Sequence, residues 1–185
     1  MNFKLIFISI ITVLLATVSC NNQNNNNKKN MHKDSAVVTL QEDFISYTLD
    51  GKTYKGYVVY DSAKKGKRPG ILVVHEWWGL NDYARSRAKQ LAELGYIAMA
   101  VDMFGDGKTG DNPIAAQELA TPFYKNPALS KTRLDAALNK LKEYPETDTA
   151  NIAAIGYCFG GSMVLNAAKL GEDYKGVVSF HGSLA

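Results

Sequence analysis

The chain reads as an α/β protein built on a mostly parallel sheet, and three observations predict it. Apolar runs of strand length occur at residues 70–75, 96–101, 151–155 and 175–180. Segments with helical spacing of apolar residues lie between them. The runs are followed at once by Glu76, Asp102, Cys158 and His181, residues with chemical capacity. Strands that alternate with helices pair in parallel and are covered on both faces. Ligands of such sheets bind beyond the carboxyl ends of the strands, so these four residues are drawn to one end by the pattern itself.

Taken in order, residues 44–49 alternate polar and apolar, Asp50-Gly51 supplies a turn, and residues 54–60 alternate again. Two such runs joined by Asp-Gly predict a β-hairpin. Residues 61–69 form a polar Lys/Gly loop before the first central strand. Asn81 or Asp82 is placed to cap a helix on which Ala84, Ala88, Leu91 and Ala92 share a face and which Gly95 ends. The second buried strand leads into a Gly/Asp loop at 105–111 and a weaker helical segment at 115–124. A better helix starts at Asn126-Pro127, with proline in its first turn. Leu134, Ala137, Leu138 and Leu141 mark its inward face, and Tyr144-Pro145 stops it.

The stretch Gly156-Tyr157-Cys158-Phe159-Gly160-Gly161 joins a buried strand to a helix over 162–170 that Gly171 ends. G-x-C-x-G at a strand-to-helix turn is the nucleophile elbow, here with cysteine where serine is commoner. A nucleophile held in a strained conformation leaves no room for side chains two residues before and two after it, hence Gly156 and Gly160. Gly161 lets the helix start close to the sheet. The helix N-terminus behind Cys158 favours the thiolate, its reactive form. The structural alternative is a small buried cysteine in a Gly-rich turn.

Length and composition bound the rest. The 185 residues suffice for one domain with a sizeable core. The net charge of +3 comes partly from the lysines near residues 28–33. There is no basic stripe with interleaved aromatics, so nucleic acid is not an expected partner. The few His and Cys show no ligand spacing, so no metal or cofactor is expected. Residues 1–20 form a targeting segment: Lys4, an apolar run at 5–15 too short to span a bilayer comfortably, then Ala16-Thr17-Val18-Ser19-Cys20. A small residue before that cysteine resembles the bacterial lipoprotein signal, although Thr17 stands where leucine is usual. The resemblance implies a lipidated Cys20, export, and a periplasmic or outer-membrane location. Residues 21–40, Asn/Lys-rich at their start, read as a flexible tether, with the folded domain at 41–185. An unpaired Cys158 in an oxidising compartment is a liability unless it is sequestered or used.

His75-Glu76-Trp77-Trp78-Gly79, Asp102-Met103-Phe104 and Gly156-Tyr157-Cys158-Phe159-Gly160-Gly161 occur in the order and spacing of the dienelactone hydrolase family. The resemblance covers residues 44 to 185. It implies an α/β-hydrolase-type three-layer sandwich and hydrolysis of a carboxylic ester or lactone through an acyl-thioester. By the same resemblance Cys158 matches the nucleophile and Glu76 the glutamate that helps ionise it. The backbone N–H groups of Phe159 and Trp77 match the oxyanion hole. Trp78 and His181 are candidate pocket residues, while His75 and Asp102 are expected to be structural.

Two departures follow. The family's acid and histidine lie on loops after two further strands, and neither has a counterpart here. The expectation is an incomplete version of a longer enzyme, impaired as it stands, with an exposed apolar edge on its last strand. Residues 105–130 contain no arginine, only Lys108 and Lys125, to match the one that holds the prototype's substrate carboxylate. Lysine is no equivalent clamp, so a different ester or lactone is expected. The competing expectation is a non-catalytic, surface-anchored binding protein that uses the same pocket.

Overall fold

The computed structural model describes residues 37–183. The targeting segment, Cys20 and residues 21–36 of the tether lie outside the described residues. Ten elements follow: β1 (Leu40–Leu49), β2 (Lys52–Asp61), β3 (Arg68–Val74), α1 (Asp82–Glu93), β4 (Ile97–Val101), α2 (Pro113–Lys125), α3 (Ala128–Lys142), β5 (Thr147–Tyr157), α4 (Phe159–Lys169) and β6 (Gly176–Phe180).

The strands form one sheet in the order β1-β2-β4-β3-β5-β6. β4, β3, β5 and β6 run parallel, and the hairpin joins them antiparallel through β2 and β4. Asp50 and Gly51 both take positive φ, 52° and 72°. That is the backbone a two-residue hairpin turn with the right twist requires. Among the described residues β6 is paired on one side only.

Alternation along β3 explains the layers. Ile71 and Val73 face a cluster with Ala84, Ala88 and Ala92 of α1. Leu72 and Val74 face the opposite cluster, with Leu134 and Leu141 of α3 and Met163 and Val164 of α4. Successive side chains of a strand point to opposite faces, so a strand covered on both sides must be apolar throughout. The result is a three-layer α/β sandwich, as the alternation of elements predicts. Three alanines on α1 let that helix lie close to the sheet.

Several boundaries differ from the sequence reading. Asn81 caps α1, its side-chain oxygen accepting from the Ala84 N–H at 3.3 Å. The segment expected at 115–124 is a full helix, α2, capped by Asn112 and running through Pro122. β5 begins at Thr147 rather than 151, because Thr147 and Asp148 pair with Arg68 and Pro69 across a bulge. α4 begins at Phe159 rather than 162, directly after the elbow cysteine.

Candidate functional site

The parallel register sets Val74 beside Val101 on one flank and Gly156 on the other, and Tyr157 beside Phe180. The next residues of each strand therefore emerge at one end of the sheet. Glu76 and Cys158 follow adjacent strands, with Asp102 and His181 one strand further out on either side.

Cys158 has φ 52° and ψ −113° and is the N-cap of α4. A non-glycine residue there is strained by about 1–3 kcal/mol. The conformation is locked from both sides. The Cys158 N–H donates to the Phe180 carbonyl at 2.9 Å, and the Cys158 carbonyl accepts from the Ser162 N–H at 3.3 Å. A Cβ on Gly156 would lie 2.1 Å from the Gly160 carbonyl oxygen. One on Gly160 would lie 2.4 Å from that of Val74 and 2.6 Å from that of His75. One on Gly161 would lie 2.5 Å from Ser179 Oγ. At each of these three glycines an added Cβ would have to displace a neighbouring atom. The Cys158 residue is half-buried and its thiol is free, so it is not sealed in the core.

Phe159, beside it, is buried in a cluster of rings: His75 at 5.8 Å, Phe104 at 5.4 Å, Phe123 at 5.3 Å and Tyr124 at 5.9 Å. The Phe159 N–H opens a helix and has no partner of its own in that helix. Neither it nor the Trp77 N–H donates a hydrogen bond among the described residues.

His75 is structural. Its Nδ1–H donates to the Glu76 carbonyl, and its Nε2 accepts from the Met103 N–H at 3.4 Å. That pairing fixes the tautomer and ties the ends of β3 and β4 together. Burial pushes the imidazole down to about 4, against smaller upward pulls from the Glu76 carbonyl and Asp102. Asp102 is structural as well. Its carboxylate accepts four backbone N–H bonds, from Lys55, Phe104, Gly105 and Gly107, between 2.8 and 3.1 Å.

Glu76 is half-buried, and its carboxylate makes no hydrogen bond or ion pair among the described residues. Trp77 and Trp78 pack edge to face at 5.1 Å. Their loop is clamped to the one after β4: Gly110 N–H donates to the Trp78 carbonyl at 3.0 Å, and Gly79 bridges Thr109. Gly79 has φ 95°, and a Cβ there would lie 2.5 Å from the Lys108 carbonyl oxygen. His181 is exposed, with φ 48°.

Tyr124, at the end of α2, has no counterpart in the sequence reading. Partial burial raises its phenol, and the neighbouring Cys158 raises it further, so the two groups lie within electrostatic reach. No motif marks it; a tyrosine in the last turn of a helix reads as surface. Among the described residues no cluster of three His, Cys, Asp or Glu could hold a metal ion.

The chain is similar to known proteins in sequence and fold. A curated relative, Protein usf from Aquifex pyrophilus, is 30% identical over 150 residues, which is 75% of this chain and 60% of that one. Among solved structures, m3DLH is 37% identical with a TM-score of 0.76, over 79% of this chain and 61% of that one. A dienelactone hydrolase-like promiscuous phosphotriesterase, P91, from metagenomic libraries is 38% identical with a TM-score of 0.75, over 78% and 60%. This chain thus spans about 60% of the length of such relatives. The dienelactone hydrolase family model matches residues 55–185. With that model over more than half of the chain and a relative 30% identical over 75% of it, the chain belongs to the dienelactone hydrolase family.

Proposed function

We propose that this protein hydrolyses a carboxylic ester or lactone with Cys158 as the nucleophile. The observation that supports this reading best is the Cys158 backbone, at φ 52° and ψ −113° between glycines that have no room for a Cβ. A cysteine that only filled space would need none of that strain.

The helix N-terminus stabilises the thiolate, and Glu76, on the adjacent strand end, helps to ionise the thiol when substrate binds. The thiolate attacks the carbonyl carbon, an S–C bond forms, and the carbonyl π electrons move to oxygen. The Phe159 and Trp77 N–H groups receive that oxyanion. Collapse breaks the bond to the alkoxide, which leaves with a proton, and an acyl-thioester remains on Cys158. Water then attacks the thioester, a base takes its proton, and the carboxylic acid departs as the thiolate is restored. For the last step His75 is unsuited, with both ring nitrogens engaged. His181 is exposed at the end of β6. On this reading acylation of Cys158 is followed by a slower deacylation. The absence of arginine over 105–130 favours esters or lactones without a substrate carboxylate.

The test is pre-steady-state hydrolysis of p-nitrophenyl acetate. A burst of about one equivalent of p-nitrophenolate is expected, followed by slow turnover. Cys158→Ala removes the burst. A burst of equal size in the variant would refute the mechanism. The second reading, a non-catalytic binding protein, is favoured by the engagement of both ring nitrogens of His75, the histidine nearest Glu76 among the described residues. It would gain from the absence of any burst together with ligand binding that survives Cys158→Ala.

Residues 1–20 act in this reading as a lipoprotein signal, with Cys20 lipidated and residues 21–40 tethering the domain to a periplasmic or outer membrane. The sequence of the segment supports it. Partition into a detergent phase, lost on Cys20→Ala, is the check.

A further inference from the structure

A second concavity lies apart from Cys158, between the loop after β4 and helices α2 and α3. Its volume is about 200 Å³. Phe104, Phe123 and Leu129 supply apolar wall, while Arg133, Lys52 and Lys108 bring three cations to it. Cys158, Glu76, Trp77 and Tyr124 do not line it. Phe104 and Phe123 stand between the two places, touching Phe159 with one side of their rings.

Arg133 is the unusual member. It is half-buried on α3 and makes no ion pair or hydrogen bond among the described residues. Its recorded contact is a ring: the guanidinium lies 5.0 Å from the centre of Tyr54. An arginine is always charged and offers five donors in a planar fork. Removing such a group partly from water without an acceptor is costly, whereas a bidentate carboxylate satisfies it. Tyr54, fully buried beneath it, leaves its own hydroxyl unpaired. The local balance favours a single negative charge. Lys108 has Asp106 at 3.8 Å, and Glu118 is the carboxylate that lines the cavity. That leaves Arg133 and Lys52 against Glu118, too little to hold a dianion well.

We propose that this cavity binds a small monocarboxylate with an apolar substituent, its carboxylate on the Arg133 fork and its apolar part against Phe104 and Phe123. The volume is below that of pockets for drug-sized ligands, so a benzoate-sized acid suits. Inorganic phosphate would leave the apolar wall unused, and a neutral isostere would leave the guanidinium unpaired. The inference does not depend on the hydrolase reading, because Cys158, Glu76 and Trp77 do not line the cavity.

The experiment is thermal unfolding of the full chain with sodium benzoate, with benzyl alcohol and inorganic phosphate as controls at equal ionic strength. Benzoate at about 10 mM is expected to raise Tm by about 3 °C. Neither control should do so. Arg133→Met should abolish the shift, with its own ligand-free transition showing that it folds. Arg133→Lys should lose most of it, since the fork is gone. Glu118→Gln should enlarge it. Cys158→Ala should leave it unchanged, which separates this site from the nucleophile. No shift with benzoate, an equal shift in Arg133→Met, or a shift lost in Cys158→Ala would each overturn the proposal.

Discussion

At the carboxyl ends of β3 and β5, a Cβ on Gly156 or Gly160 would meet backbone oxygen at 2.1 or 2.4 Å. At Gly176, where β6 begins, an added Cβ meets nothing within 4 Å. The same sheet is thus closed at its centre and open at its flank. Around Cys158 most constraints are backbone against backbone, from the Phe180 carbonyl to the carbonyls of Val74 and His75, with Ser179 Oγ against Gly161 the exception. Along β6, Val178 is 46% and Phe180 44% exposed, although Val177 packs inward. Strain can be held only where the surroundings over-determine the chain. The central strand ends can therefore carry the strained cysteine. Phe180 still matters to the centre, since its carbonyl accepts the Cys158 N–H.

Gly160→Ala tests the closed side and should have the largest effect on folding. The methyl group would press on the carbonyls of Val74 and His75, and neither can yield without breaking the β3–β5 ladder. The expected destabilisation is at least about 3 kcal/mol, read from urea unfolding at neutral pH. A loss below about 1 kcal/mol would mean that the elbow is less confined than its distances imply.

The elbow shows what a sequence can and cannot reveal. Gly156, Gly160 and Gly161 were legible because a glycine pattern around one residue at a sharp strand-to-helix turn has a steric cause that needs no tertiary knowledge. β3 and β4 were legible because strands covered on both faces are continuously apolar. The start of α4 was not. Gly160 and Gly161 read as poor helix formers, yet close approach to β3 and to Ser179 keeps them helical. The clamp that holds Trp77 and Trp78 was invisible for a similar reason. It runs through the main chain at Gly79, Thr109 and Gly110, and no side-chain pattern encodes it. The role of Asp102 was legible in kind, a loop organiser, but not its reach across to Lys55 in the hairpin.

His75 gives the next prediction and probes how the closed side is held together. Burial lowers its folded-state value from 6.5 to about 4. As pH falls below 6.5 the unfolded chain takes up a proton that the folded chain refuses. Stability is therefore full above pH 6.5 and is lost as pH falls towards 4, by up to about 3 kcal/mol. Unfolding midpoints measured from pH 7 to pH 4.5 should show this slope. His75→Gln should start from a lower stability and lack the slope in that window. An unchanged slope in the variant would assign the acid sensitivity to carboxylates instead.

The smallest effect is expected on the open flank. Gly176 does not take positive φ, and its surroundings are empty. Alanine there costs the folded chain nothing and narrows the conformations of the unfolded one, so Gly176→Ala should stabilise by about 0.5 kcal/mol. Its sign opposes that of Gly160→Ala, although each change adds the same methyl group. A destabilisation at Gly176 comparable to that at Gly160 would show that β6 is packed in solution, and the contrast between centre and flank would fail. A small gain in urea midpoint, with the acylation burst at Cys158 unchanged, would confine the strain to the strand ends that hold the thiol.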